Sequence, residues 1–409
     1  MLTCNRKPRF RCSAAAGALI ALPCALLTLG CLESEEVPPQ TGIRLGALLP
    51  YTGDLAASGH SLEQGMTLAV ETVNRAGGVA FEPLVLDVQD THSDLVRGQA
   101  SADRLFAHGV SAIVGPEEPA LARQLAPLLG AHGAVMISGG ISARAEPGTE
   151  PSLWLRIFPS AKTVTTELAA RMRSDGTATA SILYVNDGYG MTFASLLADK
   201  FRGLGGTVQD SLPMPADISG PIQFPNGGAD AVVLVAYPRA GALAVSHLSA
   251  AGFDGRWYFG PSLDTEEFVL NTPAGLLDGM AGISPALTAD SEEFAEKYRR
   301  RWSGEEPALG ANFYYDSVAV IALALEEAHA RLGRLPDERE LTASIRAVSG
   351  PPGRIVTWDE LDVGLETLAS GSPVNYRGIS GSIDFDQDGD VAQGLVRFWH
   401  VENDRIVRE

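Results

Sequence analysis

One pattern constrains this sequence more than any other, and it occurs twice. An apolar strand-like run leads through a glycine-containing loop to an amphipathic helix, a double glycine and another apolar run. In the first half Ile43–Leu49 is a predicted strand, and Leu62, Met66, Ala69, Val70 and Val73 recur at helical spacing. Ser61 and Gln64 have the spacing of a capping box at that helix's start, and Gly77-Gly78 end it. Strands are predicted at Leu84–Val88, Ser111–Val114 and Ala134–Ile137, with helices at Asp94–Ala107 and Ala120–Leu129 between them.

The order then restarts. Ala180–Val185 reads as a strand, Met191–Phe201 as a helix and Gly205-Gly206 as its stop. Val208–Leu212 and Ala231–Val235 follow as strands, Gly241–Ala251 as a helix and Trp257–Phe259 as a strand. Such alternation predicts an α/β fold of two doubly wound parallel-sheet lobes. In sheets of this kind ligands sit beyond the carboxyl ends of the strands, where the strand order reverses. Helices are expected at Ser291–Trp302, Phe313–Leu332 and Asp337–Val348. The Gly/Pro-rich stretch from Gly350 to Pro373 reads as irregular, and Gly378–Phe385 and Gln393–Val401 as strand-like.

With 409 residues, 45% of them hydrophobic and 20% charged, the chain can build two cores. Its formal net charge of −19 opposes nonspecific attachment to nucleic acid or anionic lipid. All four cysteines lie at positions 4, 12, 24 and 31, so the remainder holds no disulfide, thiolate metal site or cysteine nucleophile.

The same N-terminal stretch explains Cys31. Arg6, Lys7, Arg9 and Arg11 form a basic start, and an apolar run from Ala14 to Leu29, interrupted by Pro23, is too short for a convincing membrane span. It ends in Leu27-Thr28-Leu29-Gly30-Cys31, which resembles a bacterial lipobox, with Leu29 larger than the residue usual there. Residues 1–30 are read as a lipoprotein signal peptide and residues 31–42, acidic and Pro-stiffened, as a tether from lipidated Cys31. Removing residues 1–30 removes four cations and no acids, taking the formal charge from −19 to −23.

Ile43–Gly53, Gly59 and Gly65–Val79 resemble the opening of the branched-chain amino-acid-binding protein family, the type I periplasmic binding proteins. The likeness continues through Ala112–Pro116, Val135–Ser138, Asp187–Gly190, Gly260-Pro261, Ala311–Val318 and Gly378–Asp386. It implies two lobes joined by a three-crossing hinge. Residues 43–156 and 285–376 would form lobe one, and residues 157–284 and 377–409 lobe two. It also implies capture of a small polar ligand, an amino acid or related amide or amine, and delivery to an ABC permease in the inner membrane. The alternative is a sensing subunit that presents its ligand state to a membrane receptor. The implied protein is a monomer on the periplasmic side, lipid-anchored, without cofactor, metal or nucleic-acid partner.

By the same resemblance Ser142 supplies a hydroxyl to the ligand, Gly140 a carbonyl, and Tyr189 and Tyr237 cover the ligand on closure; Ser58 also falls in the site. Two departures stand out. Glu117-Glu118-Pro119 follows Gly115-Pro116, where the family has small hydroxyl residues that receive a carboxylate, and Ser262 follows Gly260-Pro261, where amino-acid binders place an acid. Asp264 is the expected substitute for that acid. A carboxylate aimed at an incoming carboxylate repels it strongly where the dielectric is low, so Glu118 and Asp264 are expected to tune the ligand away from plain aliphatic amino acids.

Enzyme chemistry finds no motif. There is no GxxxxGK, HExxH or Gly-x-Ser-x-Gly, and the histidines show no paired ligand spacing. Asp384–Asp390 begins like a calcium loop, but the twelfth position is Leu395 rather than a bidentate Glu. Asp388-Gly389 reads better as a hairpin turn.

Overall fold

The computed structural model describes residues 41–53, 55–140, 152–215 and 228–409. The leader, Cys31, most of the tether and Ser142 lie outside the described residues. In chain order, the first lobe opens with β1 (Ile43–Leu49), α1 (Ala56–Arg75), β2 (Leu84–Asp90), α2 (Leu95–Ala107), β3 (Ala112–Val114), α3 (Pro119–Leu125), β4 (Val135–Ser138) and β5 (Trp154–Arg156). These strands form a five-stranded sheet of order β2-β1-β3-β4-β5, parallel throughout. β1, β3 and β4 are almost entirely buried, as expected of parallel strands with helices on both faces.

The chain then crosses to the second lobe. It forms α4 (Ala161–Ser174), β6 (Thr179–Val185), α5 (Gly188–Gly203), β7 (Thr207–Met214), β8 (Ala231–Val235), α6 (Pro238–Ala250), β9 (Arg256–Phe259), α7 (Glu266–Leu270) and β10 (Ala281–Pro285). It returns to the first lobe for α8 (Ser291–Arg301), α9 (Leu309–Leu332), α10 (Glu338–Ser349), β11 (Arg354–Thr357), α11 (Leu361–Ala369), β12 (Val374–Gly378) and β13 (Gly381–Ser382). A third crossing leads to β14 (Val396–Glu402) and β15 (Arg405–Arg408), which complete the second sheet, order β15-β14-β10-β9-β8-β6-β7. Its two last strands are antiparallel and the others parallel.

The first core is organised by α9, in which every residue from Ala311 to Leu325 is at most 2% exposed. A helix apolar on every side belongs in an interior. α1 runs along it so closely that a Cβ on Gly65 would strike the Ala311 carbonyl oxygen. Asp316, the one acid within that run, is fully enclosed. It accepts hydrogen bonds from the Tyr376 hydroxyl (2.7 Å), the amides of Ile379 (3.1 Å) and Ser380 (2.8 Å), and the Ser380 hydroxyl (2.6 Å). Ile379, Ile383 and Val391 pack into this first core, so the C-terminal segment joins the second core only from β14, through Trp399 and Val401.

The crossings are stitched to one another. Arg156, 2% exposed at the end of β5, pairs with Asp390, and its amide bonds the Gly389 carbonyl (2.8 Å). The Ala286 amide bonds the Leu395 carbonyl (2.8 Å), and the Thr288 amide the Ile379 carbonyl (2.9 Å). Asp386–Gly389 makes the tight turn, closed by Gly389 N–H to the Asp386 carbonyl (3.1 Å). No group of residues suited to a metal ion occurs among the described residues.

Several expectations need correction. α1 begins at Ala56, not at Ser61. Ser61 and Gln64 are not a capping box. The Ser61 hydroxyl meets Tyr298 (2.8 Å) and accepts the Ala308 amide (2.9 Å), and Gln64 donates to Glu305 (2.9 Å) and accepts from Tyr298. The stretch 350–373 is not irregular: it holds β11 and α11, whose Leu361, Leu365 and Leu368 enter the first core. Gly378–Phe385 is not one strand but the end of β12, the short β13 and an isolated bridge between Phe385 and Val391. β5, α4 and β10 lie where no element was expected.

Candidate functional site

Because the strands of the first sheet are parallel, everything that follows their carboxyl ends shares one edge. The strand order reverses between β1 and β3, which makes that gap the switch point. After β1 the chain turns through Pro50 and Tyr51 into α1, which carries Ser58 near its start. After β3 it turns at Gly115, in the left-handed region (φ 94°), where a Cβ would strike the Leu48 carbonyl oxygen. That approach sets Glu117 and Glu118 over the gap.

Ser58 donates to Glu117 Oε2 (2.5 Å). Thr91, just beyond β2, donates to Glu118 Oε1. Glu118 Oε2 is buried and has no hydrogen-bond partner among the described residues. Glu118 is the residue before α3, yet its side chain makes no capping bond. Burial, only partly offset by the Ser58 hydroxyl and reinforced by the charge of Glu118, pushes Glu117 up to about 7. Burial likewise raises Glu118.

Gly140 closes this group from β4. It is left-handed (φ 76°), and a Cβ there would strike the Glu117 carbonyl oxygen. Beneath it Tyr314 of α9 is fully buried. Its hydroxyl lies near Gly139 without the alignment of a hydrogen bond, and burial together with the charges of Glu117 and Glu118 holds its proton firmly. Tyr314 lies within the Ala311–Val318 motif, where its burial gives no sequence signal of a role, and Thr91 stands in no motif. The structure thus brings Ser58, Glu118 and Gly140 together, while Ser142 lies outside the described residues.

The second lobe builds its edge from aromatic rings. Asp187, after β6, accepts the Gly190 amide at the start of α5 (2.8 Å) and the Tyr237 hydroxyl (2.8 Å). Tyr189 and Tyr237 lie with ring centres 5.9 Å apart. Tyr189 is 7% exposed; burial pushes its hydroxyl up to about 12, and that hydroxyl faces Ser262 without an aligned hydrogen bond. Tyr189, Tyr237 and Ser262 therefore form one cluster. The two edges adjoin: the guanidinium of Arg123, on α3, lies so close to Gly188, at the start of α5, that a Cβ there would collide with it.

Asp264 does not join that cluster. Its enclosed carboxylate takes Arg408 of β15 (2.7 Å), the Ser284 hydroxyl of β10 (2.6 Å) and Arg397 of β14 at 3.6 Å. These groups neutralise and saturate it, which corrects the expectation that it stands ready for a ligand's ammonium. A separate cavity of about 800 Å3 lies among α4, α5 and the 386–392 turn, lined in part by Thr163, Met191, Thr192 and Asp388; none of the candidate residues lines it.

Comparison with known proteins agrees with this geometry. The leucine-binding protein LivK of Thermotoga maritima superposes with a TM-score of 0.70 at 19% identity, over 90% of this chain and 97% of that one, which shows the shared fold. The chemotactic signal transduction system substrate-binding protein BasB of Halobacterium salinarum is 26% identical over 364 residues, 84% of this chain and 83% of that protein. The Leu/Ile/Val-binding protein homolog 8 of Brucella abortus is 25% identical over 343 residues, 76% and 82% of the two chains. Residues 42–360 match the family model described as periplasmic binding protein. With two lobes, three crossings and polar residues gathered on both sheet edges, this chain belongs to the periplasmic binding protein family.

Proposed function

We propose that this chain is an extracytoplasmic solute-binding lipoprotein. It captures a small polar ligand, an amino acid or a related amide or amine, between its lobes and delivers it to an ABC importer. The observation that carries the reading is the pairing of two polar strand edges: Ser58, Glu118 and Gly140 on one lobe, and Tyr189, Tyr237 and Ser262 on the other. A ligand that touches both edges favours the closed arrangement over the open one, because it gains contacts there that the open state lacks. Tyrosines suit the closing face, since each presents an apolar ring and a polar tip. Ser142 is assigned to the same site by resemblance alone.

The anchor belongs to the same proposal. Lipidation of Cys31 and the acidic tether after it place the lobes outside the cytoplasmic membrane, where a monomer meets the permease. The reading includes no catalysis, and the relatives compared above are named as binding proteins. A second reading, that the chain reports its ligand to a membrane receptor, is favoured by the name of BasB, a substrate-binding protein of a chemotactic signal transduction system. Both readings use the same site chemistry.

A thermal-shift screen of amino acids, amides, polyamines and sugars tests solute binding. A solute at 100 times its dissociation constant adds about 2.7 kcal/mol of stability. No shift with any member of these classes would count against the proposal.

A further inference from the structure

We propose, building on the solute-binding reading, that the switch point of the first lobe receives a cationic group of the ligand, an ammonium or guanidinium, through Glu118 and Glu117. Three observations meet there. Glu118 Oε2 is buried without a hydrogen-bond partner among the described residues, while its other oxygen is held by Thr91. Neither Glu117 nor Glu118 has a Lys, Arg or His in ion-pair range among the described residues, although the charge of Glu118 acts on Glu117. Tyr314, fully buried with its hydroxyl beside Gly139, makes no aligned hydrogen bond, and the charges of both carboxylates act on it.

A buried carboxylate left without a donor is destabilising, and the penalty is relieved by a cation or several donors. Two enclosed acids elsewhere are completed by the chain itself, although Asp384 Oδ1 also lacks a hydrogen-bond partner among the described residues. Asp264 has Arg408, Arg397 and Ser284, and Asp316 has two hydroxyls and two amides. At the switch point the Thr91 hydroxyl and the backbone amides of Glu117 and Glu118 act on the Glu118 carboxyl, and no described residue supplies a donor aligned with Oε2. An ammonium brings three N–H donors and a guanidinium five, whereas a carboxylate brings none and adds a third negative charge. Ser58 and Thr91 fix the two carboxylates from behind by donating to one oxygen of each. The ligand's opposite end then lies toward Tyr189, Tyr237 and Ser262.

Calorimetric titration of the protein with agmatine and putrescine, which carry cationic groups and no carboxylate, and with L-leucine and a neutral sugar, tests this. Agmatine or putrescine is expected to bind, and Glu118→Gln, which keeps the shape and removes the charge, to weaken that binding about 30-fold or more. If Glu118→Gln does not fold, Glu117→Gln carries the same expectation. Binding confined to leucine or the sugar overturns the inference, as does cation binding that Glu118→Gln leaves unchanged; in both cases the solute-binding reading stands. Failure of every solute of the wider thermal-shift screen removes that reading together with the inference.

Discussion

Each lobe places a Gly-Pro at the end of a sheet strand and an acid shortly after it, and the two acids meet opposite fates. In the second lobe Asp264 is taken up by Arg408, Arg397 and Ser284, groups from the last three strands of its own sheet in chain order. In the first lobe Glu117 and Glu118 receive one hydroxyl each, and one oxygen of Glu118 receives nothing from the described residues. Among the described residues the first sheet ends at β5 and has no antiparallel extension like that of the second sheet. The difference teaches that an acid at a strand end is defined by what the rest of the chain brings to it. One is part of the architecture, and the other is open to a partner.

The largest effect that could break this contrast is on stability. Asp264→Asn leaves two guanidinium groups without their carboxylate. Breaking a fully buried pair destabilises by about 3–5 kcal/mol, and because Arg408 is 44% exposed we expect about 2–3 kcal/mol in a urea melt. A loss below about 0.5 kcal/mol would return Asp264 to the pool of ligand residues.

Next comes pH. Glu117 titrates at about 7 in the folded protein, above the usual value of 4.5. The folded state therefore binds a proton more readily than the unfolded chain. Stability from this group is complete below about pH 4.5 and is lost as pH rises through about 7. Glu117→Gln cannot ionise, so its stability relative to the native protein should rise by about 2.5 kcal/mol between pH 5 and pH 8. Asp316, raised to about 6, contributes in the same direction in both proteins and cancels in the difference. Glu118 and Tyr314 face the same group, and Asp90 adds its charge to Glu118. A flat difference across that range would mean that Glu117 is solvated.

Glu118→Gln sharpens the contrast because its sign is opposite to that of Asp264→Asn. Removing a charge that lacks a partner should leave stability unchanged or raise it by about 1 kcal/mol. A loss comparable with that of Asp264→Asn would make Glu118 architectural as well. The smallest effects separate the two tyrosines. Tyr237→Phe deletes a 2.8 Å bond to Asp187 and should cost about 1 kcal/mol, whereas the Tyr189 hydroxyl makes no aligned bond and Tyr189→Phe should change stability by less than about 0.5 kcal/mol. Equal losses in thermal melts would contradict this assignment.

Much of the fold was legible because parallel strands and amphipathic helices follow from local periodicity. Ile43–Leu49 and Ala231–Val235 were read to the residue. What was misread depends on distant partners. Ser61 and Gln64 look like a cap until Tyr298 and Glu305, more than 230 positions away, claim them. β10 contains Gly282 and Pro285, weak strand formers, but a Cβ on Gly282 would strike the ring of Trp399, so the sheet itself requires the glycine. α11 lies among the glycines and prolines of 350–373, which hid the spacing of Leu361, Leu365 and Leu368.

The site divides along the same line. Glu117 and Glu118 were visible as a local change of chemistry beside Gly115-Pro116. Asp264 looked equivalent because Arg408, 144 positions on, cannot be paired with it from spacing. Tyr314 was hidden inside an apolar helix.

Small-angle X-ray scattering with and without saturating agmatine, with binding confirmed in the same sample, tests capture between the lobes most directly. The account predicts a smaller radius of gyration in the bound sample, because a ligand that joins the edge of Glu118 to the edge of Tyr189 draws the lobes together. Confirmed binding with an unchanged radius would contradict it.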